Sequence, residues 1–462
     1  MFGRVLIANR GEIARRVIRA CSELDIESVA VYSEPDHDAP FVREADHSVC
    51  IGPARASDSY LNMEAILAAA AQTRSQAIHP GYGFLSENAL FAQMVLQQRL
   101  AWIGPPPSLI RKMGEKSSAK AAAQAVGLPV MPGSDGLLAN LDEALSLAEE
   151  LGYPVLLKAD AGGGGRGMRK AGNAEELRRG WEEARREAAA AFGNDAMYLE
   201  KFLDAARHIE FQVLADSWGN AVHLFERECS IQRRHQKLLE EAPSLALSSE
   251  RRAEMGDLVA SATAQLGYVG AGTVEFLLDS ASGELYFIEM NTRLQVEHPV
   301  TEEITGIDLV QAQIRIAAGE RLWLRQHEIS IQGHALELRL NAEDPDQDFR
   351  PSPGVIERFR IPEPNVPGCR LRIDAAVDEG SSVSPYYDSM IAKIISWGPD
   401  RPAAIQCCIQ ALAGMELVGV PTTASLHQDV LAATDFTEAR LQVGIIPGRP
   451  DLSDSAQAGK DL

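Results

Sequence analysis

Residues 272–299, which read GTVEFLLDSASGELYFIEMNTRLQVEHP, contain two β-rich runs on either side of a turn sequence. The runs TVEFLL and ELYFIEMN are rich in β-branched and aromatic residues, and Ser-Ala-Ser-Gly lies between them, so we predict a β-hairpin. From Glu289 onward every second residue is polar, and side chains alternate between the two faces of an extended chain. One face of the second strand is therefore expected to carry Glu289, Asn291, Arg293, Gln295 and Glu297.

The register of this hairpin decides whether Glu275 joins that polar face. A turn with an odd number of residues centred on Ser282 places Glu275 directly opposite Glu289, whereas an even-numbered turn separates them. The oxygen atoms of Glu275, Glu289 and Asn291 suit Mg²⁺ that also carries phosphate oxygens. The face has no soft ligands, which argues against zinc. An ordinary strand with one solvated face would show the same alternation.

Composition restricts the class of protein. The chain has 462 residues, which is enough for about three domains. Its formal net charge is −21, whereas general binding to nucleic acids or to membrane surfaces requires a basic surface. The sequence therefore argues against both of these functions. Any site for an anionic ligand must be a local group of basic residues.

The sequence shows no sign of a membrane span or of disulfide bonds. No run approaches the roughly 18 apolar residues of a membrane helix. The first predicted strand begins at Arg4, which leaves no room for a signal or transit peptide, so we expect a cytoplasmic protein. The cysteines have neither metal-ligand nor disulfide spacing and are interpreted as reduced packing residues: Cys21, Cys50, Cys229, Cys369, Cys407 and Cys408.

The N-terminal segment alternates short apolar runs with helical patterns. RVLIAN, SVAVYS and SQAIHP are predicted strands, with a helix after the first and another near residues 60–71. Strands that alternate with helices imply a doubly wound parallel sheet. Gly11 follows the first strand, but the other glycines of the dinucleotide-binding fingerprint are absent, so we exclude NAD at this position.

A second glycine-containing loop follows the third predicted strand, in HPGYGFLSENALFAQ at residues 79–93. Tyr82 stands between Gly81 and Gly83, and Ser86 is predicted to cap the next helix. Loops at the carboxyl ends of parallel strands bind ligands in open α/β sheets, so Tyr82 is a candidate binding residue. Turn formation alone would also explain the two glycines.

A second unit starts near Leu128, after prolines and Lys116 that predict a linker leading into a helix. It contains a predicted helix at 141–151, the strand YPVLLKA, the loop DAGGGGRG, the strand MRKA, a charged helix at 174–191 and the strand MYLEKFL. Backbone N–H groups of a glycine loop can cradle an anion, and Lys158 before the loop could reach a phosphate. A strand follows, so the loop is not a P-loop. It resembles a mobile lid, and a flexible linker is the alternative.

Two further segments extend the set of polar residues. A compact basic group in this acidic protein could bind an anion, although a solvated charged loop would look the same. The group consists of Arg233, Arg234, His235 and Lys237. Further on, HALELRLNAE alternates and would place Glu337, Arg339 and Asn341 on one face. Arg339 would join the polar face of the hairpin if both segments share a sheet.

Six motifs carry a resemblance to a known family. They are IANRGEIARR, HPGYGFLSENA, KADAGGGGRGM, ERECSIQRRHQK, FIEMNTRLQVEHPVTE and PYYDSMIAKII, and they occur in order at family-like spacing across residues 1–445. The sequence resembles biotin carboxylase, a member of the ATP-grasp superfamily. The resemblance implies an α/β fold: an N-terminal doubly wound parallel sheet domain, an ATP-grasp lid and central domain, and a C-terminal α+β domain with a mainly antiparallel sheet.

The same resemblance divides the chain into domains. They are an N-terminal domain at 1–113, a linker helix at 114–129, a lid domain at 130–203, and a central and C-terminal catalytic domain at 204–445 whose C-terminal part begins near residue 334. The remaining tail, residues 446–462, is rich in Pro, Ser and Asp and is expected to be disordered.

The resemblance also implies roles for individual residues. The ATP site would contain Lys116, Lys158, Gly164, Gly165, Glu200, Lys201, Phe202, Leu203, His208, Gln232, His235, Glu275, Leu277 and Glu289. Magnesium or manganese would be held by Glu275, Glu289 and Asn291. Bicarbonate and biotin would contact Lys237, Arg293, Gln295, Val296, Arg339 and Tyr82. The catalytic residues would be Arg293, Glu297, Lys237 and Arg339, with Glu297 as the base that deprotonates bicarbonate.

The implied reaction has two stages. Bicarbonate attacks ATP to give carboxyphosphate, which breaks down to CO₂ and phosphate. Biotin is then carboxylated, with Arg339 stabilising the enolate of its ureido group while phosphate takes the N1 proton. Water would destroy carboxyphosphate, so the glycine loop is expected to close over it. Two alternatives remain open: another ATP-grasp ligase that joins a carboxylate to an amine, and a nucleotide-binding regulator without catalytic activity.

Partners follow from the absence of a Met-Lys-Met biotinylation sequence. We expect biotin to arrive on a separate biotin carboxyl carrier protein, and the chain to serve with carboxyltransferase subunits in an acetyl-CoA or other acyl-CoA carboxylase. Two features depart from the family pattern. Asp160 could weaken ATP binding unless it points away, and residues 362–370 match the dimer-contact region poorly, although a homodimer is the family expectation.

Overall fold

The computed structural model describes residues 1–160 and 167–453. Most of the predicted glycine loop lies outside these residues, and so do the predicted ATP contacts of Gly164 and Gly165. Within the described residues the chain forms a five-stranded N-terminal sheet, a three-stranded sheet, a sheet of eight strands and three short two-stranded sheets. Among the described helices, none has the length and apolar character that crossing a lipid bilayer requires.

The N-terminal sheet is parallel throughout and has the order β3-β2-β1-β4-β5, which confirms the predicted doubly wound architecture. Its elements are β1 (Arg4–Ile7), α1 (Gly11–Glu23), β2 (Glu27–Ser33), α2 (Pro40–Glu44), β3 (His47–Gly52), α3 (Met63–Thr73), β4 (Ala77–His79), α4 (Ala89–Gln97) and β5 (Ala101–Trp102). Strand β1 shows how both faces are covered. Val5 and Ile7 share one core with Ile13 of α1, whereas Leu6 shares another with Ile66 of α3.

One detail of this domain differs from the prediction. Ser86 does not cap the helix after the third predicted strand, because α4 begins at Ala89 and the side chain of Asn88 accepts a hydrogen bond from the N–H of Phe91. Ser86 is buried instead. Serine and asparagine are equally good N-cap residues, so the pattern Ser-Glu-Asn does not distinguish them. The loop glycine Gly81 has the left-handed conformation, with φ of 64°, that the turn requires.

The second unit contains a small antiparallel sheet with the order β7-β6-β8. Its elements, with the two helices that lead into it, are α5 (Pro107–Gly114), α6 (Lys116–Ala125), α7 (Leu141–Leu151), β6 (Val155–Ala159), β7 (Met168–Ala171), α8 (Ala174–Phe192) and β8 (Met197–Lys201). Leu157 and Leu199 pack against Leu177 and Trp181 of α8. The predicted order of helix, strands and helix is confirmed, and Lys158 projects from the face of β6 opposite to Leu157.

The large sheet is antiparallel and has the order β13-β12-β9-β10-β11-β14-β21-β19. Its first part comes from β9 (Ala206–Ala215), β10 (Ala221–Arg233), β11 (Gln236–Ala242), α9 (Ser249–Gln265), β12 (Gly270–Asp279), β13 (Leu285–Asn291), α10 (His298–Thr305), α11 (Leu309–Ala317) and β14 (His334–Asn341). The hairpin strands and the strand of Arg339 therefore belong to one sheet. This is the condition under which Arg339 was expected to reach the polar face of the hairpin.

The C-terminal part adds the remaining strands of that sheet and a layer of helices. Its elements are β15 (Glu343–Asp344), β16 (Arg350–Pro351), β17 (Gly354–Val355), β18 (Arg358–Arg360), β19 (Arg370–Ala375), β20 (Ser382–Val383), β21 (Met390–Gly398), α12 (Arg401–Gly414), β22 (Glu416–Val418), α13 (Ala424–Ala432) and α14 (Thr434–Thr437). Leu338 and Ile394 pack in its core with Ile446 and Leu452. Residues 446–453 of the expected tail are thus packed rather than disordered.

The hairpin of β12 and β13 pairs Glu275 with Glu289, which the sequence allowed only for an odd-numbered turn, although its turn is even. Leu278 pairs with Leu285, which leaves an even number of residues in the turn. The register then shifts between Phe276 and Glu275, where β13 contains one extra residue, Ile288. This β-bulge restores the parity, so Glu275 lies opposite Glu289. The strand ends at Asn291, and residues 292–297 form a bend, an irregular stretch and a turn before α10 rather than the predicted continuation of the strand.

Candidate active site

A large cavity is lined by all three parts of the chain. Its volume is about 1780 Å³, whereas pockets for one drug-sized ligand have volumes of up to about 1,000 Å³. Tyr82 comes from the N-terminal domain, Lys158 from the small sheet, and Glu275 and Arg339 from the large sheet. The cavity therefore has room for more than one substrate.

A row of charged residues crosses four neighbouring strands of the large sheet beside this cavity. Glu289 of β13 pairs with Glu275 of β12, Glu275 with Glu210 of β9, and Glu210 with Arg227 of β10. Residues directly opposite one another in neighbouring strands project to the same face. Three adjacent carboxylates repel one another unless cations lie among them. The row therefore requires compensating positive charge.

Lys237 supplies that charge from β11. Its Nζ atom lies 2.5 Å from Glu210 Oε2, 3.0 Å from Glu275 Oε1 and 2.6 Å from Glu297 Oε1. All three carboxylates are buried. Burial alone would lower the pKa of Lys237, but the three carboxylates raise it well above its ordinary value. Lys237 is therefore charged, and it links the hairpin to the segment before α10.

The carboxylates around Lys237 titrate in different directions. Burial alone would raise the pKa of Glu297, but Lys237 and Arg339 hold it well below its ordinary value. The pKa of Glu275 is also lowered, because Lys237 and His208 outweigh the effect of burial. Burial and the nearby Glu297 raise the pKa of Glu210. Glu297 and Glu275 are thus ionised hydrogen-bond acceptors in the resting site.

Arg339 forms a second bridge to Glu297. Its Nε donates to Glu240 Oε1 at 2.6 Å and its Nη2 to Glu297 Oε2 at 2.8 Å. Burial raises the pKa of Glu240 to about 7, although Arg339 lies against it. Sequence reasoning missed Glu240. Its only signal in the sequence is its position three residues after Lys237 on the same strand, and a charged surface strand would show the same pattern.

Arg293 is held by three side chains. Its guanidinium donates to Gln295 Oε1 at 2.9 Å, to Asn291 Oδ1 at 3.0 Å and to Glu87 Oε2 at 2.9 Å. The amides of Asn291 and Gln295 in turn donate to Glu275 Oε1. Sequence reasoning missed Glu87, which comes from the same glycine-containing loop as Tyr82. The available signal was that Glu87 lies in a loop after a parallel strand, where open α/β sheets bind ligands.

Most of the predicted nucleotide-binding residues line the same cavity. They are Lys116, Lys158, Glu200, Lys201, Phe202, Leu203, His208, Gln232, His235, Glu275, Leu277 and Glu289. The carboxylate of Glu200 accepts hydrogen bonds from Lys158 and Lys120. These lysines lower the pKa of Glu200, although burial opposes them. Lys120 also lines the cavity, and sequence reasoning missed it.

The remaining predicted residues divide into two groups. Tyr82, Lys237, Asn291, Arg293, Gln295, Val296 and Arg339 line the cavity. Glu297 does not, because it is fully buried behind Lys237 and Arg339. Asp160 lines the cavity and does not point away from it. Its charge raises the pKa of Lys116, although burial of that lysine has the larger effect and lowers it.

The basic cluster does not act as one anion site. Lys237 and His235 line the cavity, but the guanidinium of Arg233 pairs with Asp348 and lies 4.2 Å from the ring centroid of Phe349. Arg234 is exposed and lies 3.8 Å from the same aspartate. Of the two interpretations that the sequence allowed, a solvated charged loop describes Arg234, and only Lys237 and His235 of the group line the cavity. Arg234 and His235 have positive φ in the turn between β10 and β11, and the reversal separates the side chains.

The residues predicted to hold magnesium fit a hard divalent cation. Glu275 and Glu289 face each other across the hairpin, and Asn291 donates its amide to Glu275 at 2.7 Å. Carboxylate and amide oxygens are the ligands that Mg²⁺ prefers, and here they lie beside a cavity that Lys116 and Lys158 also line. Two other groups of possible ligands, which share Glu210, are already compensated by Lys237 and Arg227.

The fold and the cavity define an ATP-grasp ligase: the small sheet of β6, β7 and β8 and the large antiparallel sheet line a cavity that also contains lysines, paired carboxylates, Arg293 and Arg339. Sequence profiles agree along the chain. The biotin carboxylase N-terminal domain matches residues 1–110, the ATP-binding domain of the carbamoyl-phosphate synthase L chain matches residues 115–325, and the biotin carboxylase C-terminal domain matches residues 337–447.

Whole-chain relatives agree with the profiles. A biotin carboxylase of Nostoc sp. is 52% identical over 445 residues, which are 96% of this chain and 98% of the relative. The 2-oxoglutarate carboxylase small subunit of Hydrogenobacter thermophilus is 49% identical, over 99% of this chain and 96% of the relative. The crystal structure of a biotin carboxylase domain dimer of that organism's 2-oxoglutarate carboxylase, with MgADP, ADP and bicarbonate, has a TM-score of 0.90 at 49% identity over 98% of each chain.

The chain belongs to the biotin carboxylase family. It is an enzyme, an ATP-dependent ligase that carboxylates biotin and uses ATP, Mg²⁺ and bicarbonate.

Replacing Lys237 by methionine should destabilise the protein in a pH-dependent manner. The pKa values of Glu297 and Glu275 lie below their ordinary values, so both carboxylates stabilise the fold at neutral pH and lose this effect as pH falls through their folded-state pKa. Without Lys237 these pKa values rise, and ionisation then opposes folding. We expect a loss of about 3–5 kcal/mol in the free energy of unfolding near pH 8, and a smaller loss near pH 5.5.

Urea unfolding of Lys237→Met and wild type at both pH values measures this difference. Arg358→Met is the control, because Arg358 and Glu416 form an exposed ion pair that should contribute less than about 1 kcal/mol at either pH. An equal loss for Lys237→Met at both pH values would contradict the electrostatic role of this lysine.

Proposed function

We propose that the chain carboxylates biotin carried on a separate protein, through carboxyphosphate, with the cavity residues divided among ATP, bicarbonate and biotin. The observation that carries this assignment is the chain of contacts from Lys237 to Glu297 to Arg339, beside a cavity that Lys116 and Lys158 also line. This arrangement would bring to one site the cations for the anionic substrates ATP and bicarbonate and the proposed base, the buried carboxylate of Glu297.

ATP would lie against the lid and the central part of the cavity. Lys116 and Lys158 would supply positive charge for its phosphates, and residues 200–203, which line the cavity wall, would face the adenine. His208, Gln232, His235 and Leu277 complete the proposed nucleotide site, with Gly164 and Gly165 of the glycine loop. Positioning and charge neutralisation are the main requirements of phosphoryl transfer.

Magnesium would be held by Glu275, Glu289 and Asn291. When bound, it neutralises phosphate charge and orients the phosphates of ATP. Mn²⁺ has similar ligand preferences and could replace it. The protein's own part is to keep Glu275 ionised, and Lys237 and His208 do so by lowering its pKa.

Bicarbonate would bind to Lys237 and Arg293, beside Gln295 and the backbone of Val296. Glu297 acts as the base, yet its lowered pKa makes it a weak base in the resting site. An anion that takes over the hydrogen bonds of Lys237 would remove the charge that lowers this pKa. Binding of bicarbonate would therefore raise the pKa of Glu297 and enable proton transfer at the moment when it is needed.

Biotin would bind beside Tyr82 and Arg339. Arg339 would turn its guanidinium from Glu297 to the ureido oxygen of biotin and stabilise the enolate. Phosphate released from carboxyphosphate takes the ureido N1 proton, and the nucleophilic nitrogen attacks CO₂. The same turn of Arg339 removes a second cation from Glu297, so binding of biotin also raises the pKa of the base.

We infer that the chain works as a subunit beside a biotin carboxyl carrier protein and a carboxyltransferase. The name of the Hydrogenobacter relative, a small subunit, supports this assembly, and the dimeric structure of the related domain supports a homodimer. The acceptor is an acyl-CoA in the assembly that we favour, and a cytoplasmic location remains our prediction. Residues 1–113, 114–129, 130–203 and 204–445 are our division into domains.

Hydrolysis of ATP should depend on bicarbonate and should be stimulated by biotin. The purified protein with MgATP is assayed complete, then without bicarbonate in degassed buffer, and then without free biotin. We expect turnover to fall to background without bicarbonate and to persist at a lower rate without biotin. Turnover that requires an amine instead would contradict the proposal and indicate a carboxylate-amine ligase.

The Glu297→Gln variant should fold but lose turnover. Glutamine preserves the volume and one oxygen acceptor for Lys237, but it cannot take a proton. We expect kcat to fall by about a hundredfold to ten-thousandfold. Glu241→Gln is the matched control, because Glu241 is an equally buried carboxylate paired with Arg401 and His334 away from the cavity. Full activity of Glu297→Gln would show that another group is the base.

A further inference from the structure

Lys393 is a fully buried lysine outside the set of residues assigned above. It lies on β21, and its Nζ donates to the backbone oxygen of Val296 at 2.8 Å and lies 3.1 Å from Glu12 Oε1. Burial alone would lower the pKa of Lys393, but Glu12 and Glu337 raise it. An unpaired buried ammonium is strongly destabilising, so these contacts are required for the lysine to be tolerated.

Glu12 extends this contact to the N-terminal domain. It is a buried residue of α1, and its Oε1 atom accepts the hydroxyl hydrogen of Tyr82 as well as the contact from Lys393. One carboxylate oxygen therefore joins Tyr82, from the loop after β4, to Lys393, from the C-terminal part. The chain of contacts runs from Tyr82 through Glu12 and Lys393 to the carbonyl of Val296.

In the proposed function, the two ends of this series of contacts, Tyr82 and Val296, lie beside different substrates. Tyr82 would be beside biotin, and Val296 belongs to the segment that would hold bicarbonate. The carbonyl of Val296 is in the same planar peptide group as the N–H of Glu297. By fixing this carbonyl, Lys393 also fixes the backbone from which the side chain of Glu297 projects.

We propose that Glu12 and Lys393 are positioning residues that couple the biotin-binding side of the cavity to the bicarbonate-binding segment. This inference rests on the proposed function. Neither side chain is assigned contact with a reacting atom. A displacement of Tyr82 on binding of biotin would be transmitted through the shared oxygen of Glu12 to Lys393 and to the peptide before Glu297. Binding of one substrate would thereby stabilise the geometry that the other requires.

The test is a double-mutant cycle with Tyr82→Phe and Lys393→Met. KM values for free biotin, bicarbonate and MgATP are measured for wild type, both single variants and the double variant. Loss of one buried hydrogen bond corresponds to a factor of about five to thirty. We expect Lys393→Met to raise KM for both bicarbonate and biotin by such a factor, with KM for ATP within about twofold of wild type.

Coupling has a specific signature in this cycle. If Tyr82 and Lys393 act through Glu12, KM for biotin in the double variant should be close to that of the worse single variant, because the first substitution already breaks the chain of contacts. Multiplicative effects on this KM would overturn the proposal. Parallel rises of all three KM values after Lys393→Met would also overturn it, since they would indicate a general structural defect.

Two further double variants serve as controls for a loss of stability. Glu12→Gln combined with Lys393→Met removes both members of the Glu12–Lys393 ion pair, so it supplies the measurement if Lys393→Met alone does not fold. Glu241→Gln combined with Arg401→Met breaks a comparable buried ion pair away from the cavity and should leave KM for biotin unchanged. A wild-type enzyme without dependence on bicarbonate would overturn the proposed function, whereas normal wild-type behaviour with multiplicative effects would overturn the coupling alone.

Discussion

A single ammonium group holds the active site together. Lys237 lies within hydrogen-bond distance of Glu210, Glu275 and Glu297, which come from three separate segments. Buried carboxylates at such separations repel one another strongly in a medium of low dielectric constant. Their ionisation is therefore possible only with a cation among them. The position of the hairpin, the conformation of residues 292–297 and the ionisation of Glu297 all depend on this interaction.

The large sheet explains how such a cluster can be built reliably. Strand pairing places Glu289, Glu275, Glu210 and Arg227 in one row across four strands, and the backbone hydrogen bonds of the sheet fix their spacing. Lys237 then needs to reach only from the adjacent strand. The charge arrangement also has a proposed chemical use. Lys237 and Arg339 lower the pKa of Glu297 in the resting site, and they are the groups proposed to bind bicarbonate and biotin. In the proposed mechanism, substrate binding raises the pKa of Glu297, so that binding also activates the proposed base.

The sequence predicts periodic features well and long-range pairing poorly. The parallel N-terminal sheet follows from alternating strands and helices. The pairing of Glu275 with Glu289 was left open by the sequence, and a bulge at Ile288 rather than the turn length produces it. Partners such as Glu87 and Lys393 lie more than ninety residues from the groups that they hold. A local pattern can mark a loop such as that of Glu87 as a possible binding loop, but it cannot indicate the contact itself, because the contact arises only when the domains pack together.

The most direct test of this chemistry is the fate of an oxygen atom. With ¹⁸O-labelled bicarbonate and unlabelled ATP, nucleophilic attack on the γ-phosphorus followed by breakdown of carboxyphosphate leaves one bicarbonate oxygen on the released phosphate. We expect mass spectrometry to find one ¹⁸O atom per phosphate at early times, in proportion to the label in bicarbonate. Phosphate without label, formed at the same rate, would show that water attacks ATP and that the cluster around Lys237 and Glu297 does not activate bicarbonate.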